Sequence, residues 1–215
     1  RARIRSRAKL TYEGVQDFLD APDGHALAGQ PFAESLRLLR VVGEQRIADA
    51  HARDVVPHRQ RSVEVGLADR HSFVIYGALR NDTERYNEQI SLLCNAEGAR
   101  QIRAAGAEAF VQPIFRVHPA PPPDRVQRFY ETIEGIATQR GARWRWNRSG
   151  GQSLADFLRS LPSEGEEARL AGAIERQAIM MNVRSTFSDE AASHHGVGAE
   201  VYARFSSPMR EIVGV

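Results

Sequence analysis

The chain has 215 residues, enough for one domain with a sizeable core or for a piece of a larger one. Hydrophobic residues make up 42% and charged residues 26%, the balance of an ordinary soluble globular protein, and no apolar run approaches the ~18 residues of a membrane span. A net charge of +2 selects no partner by itself, and the single cysteine, Cys94, excludes an internal disulfide and fits a reducing cytoplasm.

Residues 1–10 alternate strictly. Arg1, Arg3, Arg5, Arg7 and Lys9 fall on one face of an expected strand, with Ala2, Ile4, Ala8 and Leu10 on the other. Such a row of charges suits a phosphate backbone, and equally a solvated strand whose charges guard an edge. Lys9 is the only lysine among the 29 basic residues. Arginine suits phosphate recognition, but genome composition alone produces the same bias. The absence of an initiator methionine and the strand-like start suggest a truncated chain.

Tyr12 opens an amphipathic turn carrying Val15, Phe18 and Leu19, and a loop rich in Gly, Pro and Asp follows over 21–31. A long helix is expected from Phe32 to Ala52, its inner side built on Leu36, Leu39, Val42 and Ile47. Segments Ser62–Ala68 and Ser72–Leu79 read as a hairpin turning at Asp69-Arg70-His71. Asp82 or Thr83 can cap the next helix, which runs to about Ala105. Glu88 and Asn95, two turns apart on it, either face one polar pocket or are simply solvated, and Cys94 reads as a packed core thiol.

Val111–His118 is expected as a short strand, ended by a proline-rich hinge at 119–123 from which a helix starts near Asp124. Arg143–Arg148 (RWRWNR) interleaves tryptophan with arginine. That composition can hold nucleic acid, or form a strand whose tryptophans pack on the core, the reading we prefer. Helices over Ser153–Leu161 and Glu164–Val183 follow. No composition shift marks a second domain, so residues 1–215 read as one α/β domain with long helices on a mixed or antiparallel sheet.

His194 and His195 are adjacent and cannot both bind one metal from a regular element, so a zinc site is not expected. Nucleotide-loop and hydrolase-elbow motifs are absent from the sequence. The most distinctive stretch is His194–Arg210, HHGVGAEVYARFSSPMR, in which Pro208 fixes the backbone just before Arg210. Arg210 is a candidate for a forked grip on phosphate, against the alternative of a surface arginine after a turn.

This stretch resembles the ribonuclease II (RNB) family of 3′-to-5′ exoribonucleases, which carries a His-x-Gly-Leu step, then a tyrosine, an aromatic and Ser-Pro-Ile-Arg. Ser6–Tyr12 (SRAKLTY), Glu84–Asn95 (ERYNEQISLLCN) and Arg116–His118 (RVH) match the family in the same order. The resemblance implies hydrolysis of single-stranded RNA from its 3′ end to nucleoside 5′-monophosphates, by a cytoplasmic monomer with no DNA preference. It implies that Arg210 grips phosphate and helps catalysis, that Tyr12 packs against nucleotides near the 3′ end, and that Glu88 contacts the terminal nucleotides. Val65, His194 and Ser207 fall along the same RNA path. Magnesium is implied too, on an aspartate cluster that in the family precedes the SRAKLTY-like stretch and so would precede Arg1.

Two departures bear on this. A stacking aromatic expected near position 65 is replaced by Val65, and Glu211 and Ile212 follow Arg210 where the family has a basic residue and a tyrosine. They leave open a second reading, an RNB-derived module without catalysis that binds RNA or a protein, and a third, an interaction protein with no RNA role.

Overall fold

A computed structural model describes residues 5–6, 8–56, 61–105 and 112–206; the side chains of 61–64 and 76–79 also fall outside the description. The architecture is mixed, with six α-helices and two small antiparallel sheets of two strands each among the described residues. The chain separates into two compact units, Arg1–Ile47 with Arg59–Ser91, and Ala48–His58 with Leu92–Val215.

In the first unit, α1 (Tyr12–Asp20) is started by Thr11, whose hydroxyl accepts from the Gly14 N–H at 3.1 Å. Val15, Phe18 and Leu19, at the expected helical spacing, are buried with Ala33 at the start of α2 (Ala33–Ala52). Leu36, Leu39, Val42 and Ile47 form the half-buried side of α2. Gly43 takes the closest contact there: a Cβ at that position would run into the Tyr86 ring. Strands β1 (Arg61–Leu67) and β2 (Phe73–Leu79) pair antiparallel, Val65 opposite Ile75 and Leu67 opposite Phe73. The hairpin is the expected one. The expected strand over residues 1–10 is not: Arg5, Ser6 and Ala8–Leu10 are irregular, and the other residues of that stretch lie outside the description.

Helix α3 (Asp82–Ala105) begins one residue earlier than the capping reading assumed. Asn81, not Asp82 or Thr83, is the cap. Its side-chain oxygen accepts from the Glu84 N–H at 2.9 Å, while the Glu84 carboxylate accepts from the Asn81 N–H at 2.9 Å. Thr83 is occupied elsewhere, its N–H and hydroxyl both donating to Gln16 Oε1 at 2.8 and 2.9 Å.

In the second unit, β3 (Phe115–Val117) pairs with β4 (Thr186–Ser188). At three residues β3 is shorter than expected, and its other edge is used by the Arg116 N–H, which donates to the Tyr202 carbonyl at 2.8 Å. Helix α4 (Pro123–Arg140) starts at the proline run, where the missing N–H costs nothing, and stops at Gly141 in the left-handed conformation. It packs with α5 (Leu154–Ser160) and α6 (Ala168–Met180) around Phe129, Ile133, Phe157 and Ile174. Trp144 and Trp146 belong to this core as anticipated, but RWRWNR is irregular rather than a strand. Trp146 stacks on Phe157 at 5.7 Å, and Arg148 lies over the rings of Tyr130 and Trp146. A second cluster joins Ala99, Phe115, Val201 and Ala203. Cys94 is exposed, not the packed thiol the sequence suggested, because α3 turns its neighbours Asn95, Ala96 and Ala99 inward instead.

Candidate functional site

The candidate residues fall into two groups. In the first unit, Gln16 joins α1 to the start of α3 through Thr83, and its own amide donates to Asp20 at 2.9 Å. That junction sets Tyr12 beside α3. The Tyr12 hydroxyl accepts from Asn87 Nδ2 at 3.0 Å, leaving a ring that is 44% exposed. The next residue, Glu88, is also exposed, and its carboxylate pairs with Arg80 at 3.1 Å. An exposed pair of this kind contributes little to stability but holds the carboxylate in place. On the opposite side of α3, Tyr86 is buried and donates to Glu44 at 3.3 Å; burial is the main cause that raises its pKa. Tyr12 and Glu88 are therefore both presented to solvent from one junction. Asn87 and Arg80, which hold them, carried no sequence signal beyond their proximity to Glu88. Val65 stands on the hairpin with 63% of its surface exposed.

The second unit contains His194 in a compact set of imidazoles. His118 ends the β3 segment and is clasped from both sides of His194: its N–H donates to the Ser193 carbonyl at 3.0 Å, and its carbonyl accepts from His195 at 2.8 Å. Its Nδ1 accepts from the Gly196 N–H at 3.0 Å, which places the proton of the neutral ring on Nε2. The rings of His118 and His194 meet edge to face at 4.9 Å, and His194 lies 5.0 Å from the Tyr202 ring. Burial, then the neighbouring His118, pushes the His194 pKa from 6.5 down to about 4. His195 is shifted in the same direction, again chiefly by burial. His194 is thus neutral at physiological pH, and its Nδ1 is buried with no hydrogen-bond partner among the described residues. The turn ends at Gly198, at φ +62°, whose carbonyl accepts from Arg53 at 2.6 Å.

Glu88 and Asn95 do not share a setting. Glu88 is exposed on Arg80, whereas Asn95 is buried, its amide donating to the Tyr202 hydroxyl at 2.8 Å and its oxygen accepting from the Ser206 N–H at 2.7 Å. Two turns of helix separate residues by more than 10 Å, enough for different partners. Asn95 therefore holds the chain at the residue preceding Ser207. Ser207 and Arg210 themselves lie outside the described residues.

Among the described residues no three or more of His, Cys, Asp and Glu gather closely enough to hold a metal ion, so these residues do not fit magnesium and no step is derived through one. Nor is any helix among them long and apolar enough to cross a membrane.

This combination of helices and small antiparallel sheets, with the ordered motifs on it, defines a recognisable class. The profile of the RNB domain matches residues 1–211, and the chain belongs to the RNB domain family. Its curated relatives include exoribonuclease 2 of Vibrio parahaemolyticus, 24% identical over 219 residues, covering 98% of this chain and 30% of that protein. Ribonuclease R of the same organism is 22% identical over 210 residues, covering 96% of this chain and 24% of that protein. The fold is shared with Mycoplasma genitalium RNase R solved with ribose-methylated single-stranded RNA, at TM-score 0.70 and 16% identity, covering 94% of this chain and 30% of that one. The same protein with double-stranded RNA matches at TM-score 0.71 and 15% identity, covering 94% and 34%. The chain thus spans about a third or less of the proteins it resembles.

Proposed function

We propose that this chain is the RNA-holding part of a cytoplasmic, monomeric 3′-to-5′ exoribonuclease that hydrolyses single-stranded RNA to nucleoside 5′-monophosphates. The observation that carries this reading is the RNB match over residues 1–211, in which the four ordered motifs lie. Tyr12 offers an exposed ring to nucleotides near the 3′ end, and Glu88 offers a positioned carboxylate to hydroxyl donors of the terminal nucleotides. Arg210, following Pro208, is assigned the phosphate and the charge that develops on it during cleavage. Magnesium belongs to the family's aspartate cluster, outside this sequence, and the described residues supply no substitute for it.

The test is shortening of 5′-labelled single-stranded RNA with magnesium, by this chain and by the full product of its gene. Shortening from the 3′ end by the full product, lowered far more than RNA binding by Arg210→Ala, is the expected result. An unchanged rate in that variant removes Arg210 from the catalytic assignment. Glu211 favours a second reading, since it sets a negative charge beside the phosphate path: an RNA-binding module without catalysis. Binding without shortening by either protein would establish it.

A further inference from the structure

The β1–β2 hairpin carries an apolar face open to solvent. Antiparallel pairing sets Val65 opposite Ile75 and Leu67 opposite Phe73, so these four side chains share one face. They are 63%, 71%, 69% and 74% exposed respectively. A two-stranded sheet buries neither of its faces by itself, and leaving so much apolar surface in water is unfavourable without a partner. The tip is well defined. Asp69 accepts from the N–H groups of His71 and Ser72 at 2.7 and 2.8 Å and from the Ser72 hydroxyl at 2.7 Å, which fixes the register that brings Phe73 opposite Leu67.

We infer that Phe73 is a base-stacking residue for single-stranded RNA, taking from the second strand the place left without an aromatic at Val65. This rests on the RNA-holding function proposed above. Phe73 is the diagonal neighbour of Val65, a spacing of about 7–8 Å that an aromatic side chain spans. Its ring can therefore cover the ground above Val65 although it comes from the other strand. Val65 and Leu67 then form an aliphatic floor beside a planar platform, which accepts any base because every base has a π-face. Continuity favours RNA over a protein as the occupant. Strand β2 runs directly into Arg80, the partner of Glu88, and Asn87 holds Tyr12. Along β2 the ring stands about 20 Å from that end of the strand, at about 3.3 Å per residue. Arg70 and His71 at the tip add cationic groups on the outer side. RNA long enough to leave the Tyr12–Glu88 junction thus meets Phe73 next.

The test uses the full chain and fluorescence anisotropy with labelled single-stranded RNAs of about 4 and about 16 nucleotides. Phe73→Ala is expected to weaken binding of the longer RNA by about 5- to 150-fold, the usual loss of one stacked base, and to affect the shorter one much less. Phe73→Leu, which keeps the bulk without the π-face, should behave as Phe73→Ala, and Phe73→Trp should retain affinity. Quenching of a fluorescent adenine analogue within the longer RNA should disappear in the leucine variant. Binding of both RNAs by wild type with equal affinity in all three variants overturns the stacking role and leaves the RNA-holding function intact. Wild-type affinity in Phe73→Leu alone overturns it too, since bulk and not stacking would then matter. A change in self-association by sedimentation without a change in RNA affinity would assign the face to protein contact. No RNA binding by wild type at low salt removes both readings.

Discussion

A Cβ at position 196 would lie 2.7 Å from Nδ1 of His118, the atom to which the Gly196 N–H donates. The glycine of the His-x-Gly step is needed for that approach, not only for turning. The same contact packs His194 against His118 and keeps it neutral. Because the His194 pKa is depressed in the folded chain, the neutral ring contributes stability that is fully present above pH 6.5. That contribution is lost as pH falls from 6.5 to about 4, by at most about 3 kcal/mol. Urea midpoints measured across this window should fall more steeply for wild type than for His194→Gln. Parallel slopes would show that another group carries the acid sensitivity.

At the scale of elements, α3 shows how one helix serves both units with different faces. Its pattern was legible from the sequence because Tyr86, Ile90 and Leu93 recur at helical spacing. The assignment of its polar residues was not. Asn95 looks like any solvated asparagine until Tyr202 and Ser206, more than 100 positions away, are brought to it. Asn95→Ala leaves a buried tyrosine hydroxyl and a backbone N–H without their partner and should cost about 1–3 kcal/mol by denaturant unfolding. A loss below about 0.5 kcal/mol would mean that water replaces the amide. RWRWNR illustrates the opposite case. Its tryptophans were rightly placed in the core, yet the segment is not a strand, because the Trp146 indole bonds the Gln152 carbonyl and Asn147 caps a local turn through Gly150. Local hydrogen bonds outweighed the alternation.

For the molecule as a whole, RNA affinity cannot come from net charge, which is +2. Binding must rest on a few placed arginines and exposed rings, and its salt dependence should accordingly be shallow. For single strands each phosphate contact contributes about 0.7 to the slope of log affinity against log salt. Arg210→Ala should therefore reduce that slope by about 0.7 in anisotropy titrations over increasing salt. An unaltered slope would show that Arg210 touches no phosphate in the bound state.

The sequence by itself determined the mixed helix-and-strand class, most element boundaries, the hairpin with its turn, and the RNB family. These depend on periodicity, caps and short motifs, all of which act over a few residues. It also supplied Tyr12, Glu88 and His194 as candidates, through the resemblance. Tertiary structure alone decided what holds them: Asn87 on Tyr12, Arg80 on Glu88, and His118 against His194. It alone decided that Cys94 faces solvent, and that Phe73 stands on the same face as Val65. Exposure and hydrogen-bond partners are set by which distant segments pack together, and a helical or alternating pattern is the same whichever segment arrives.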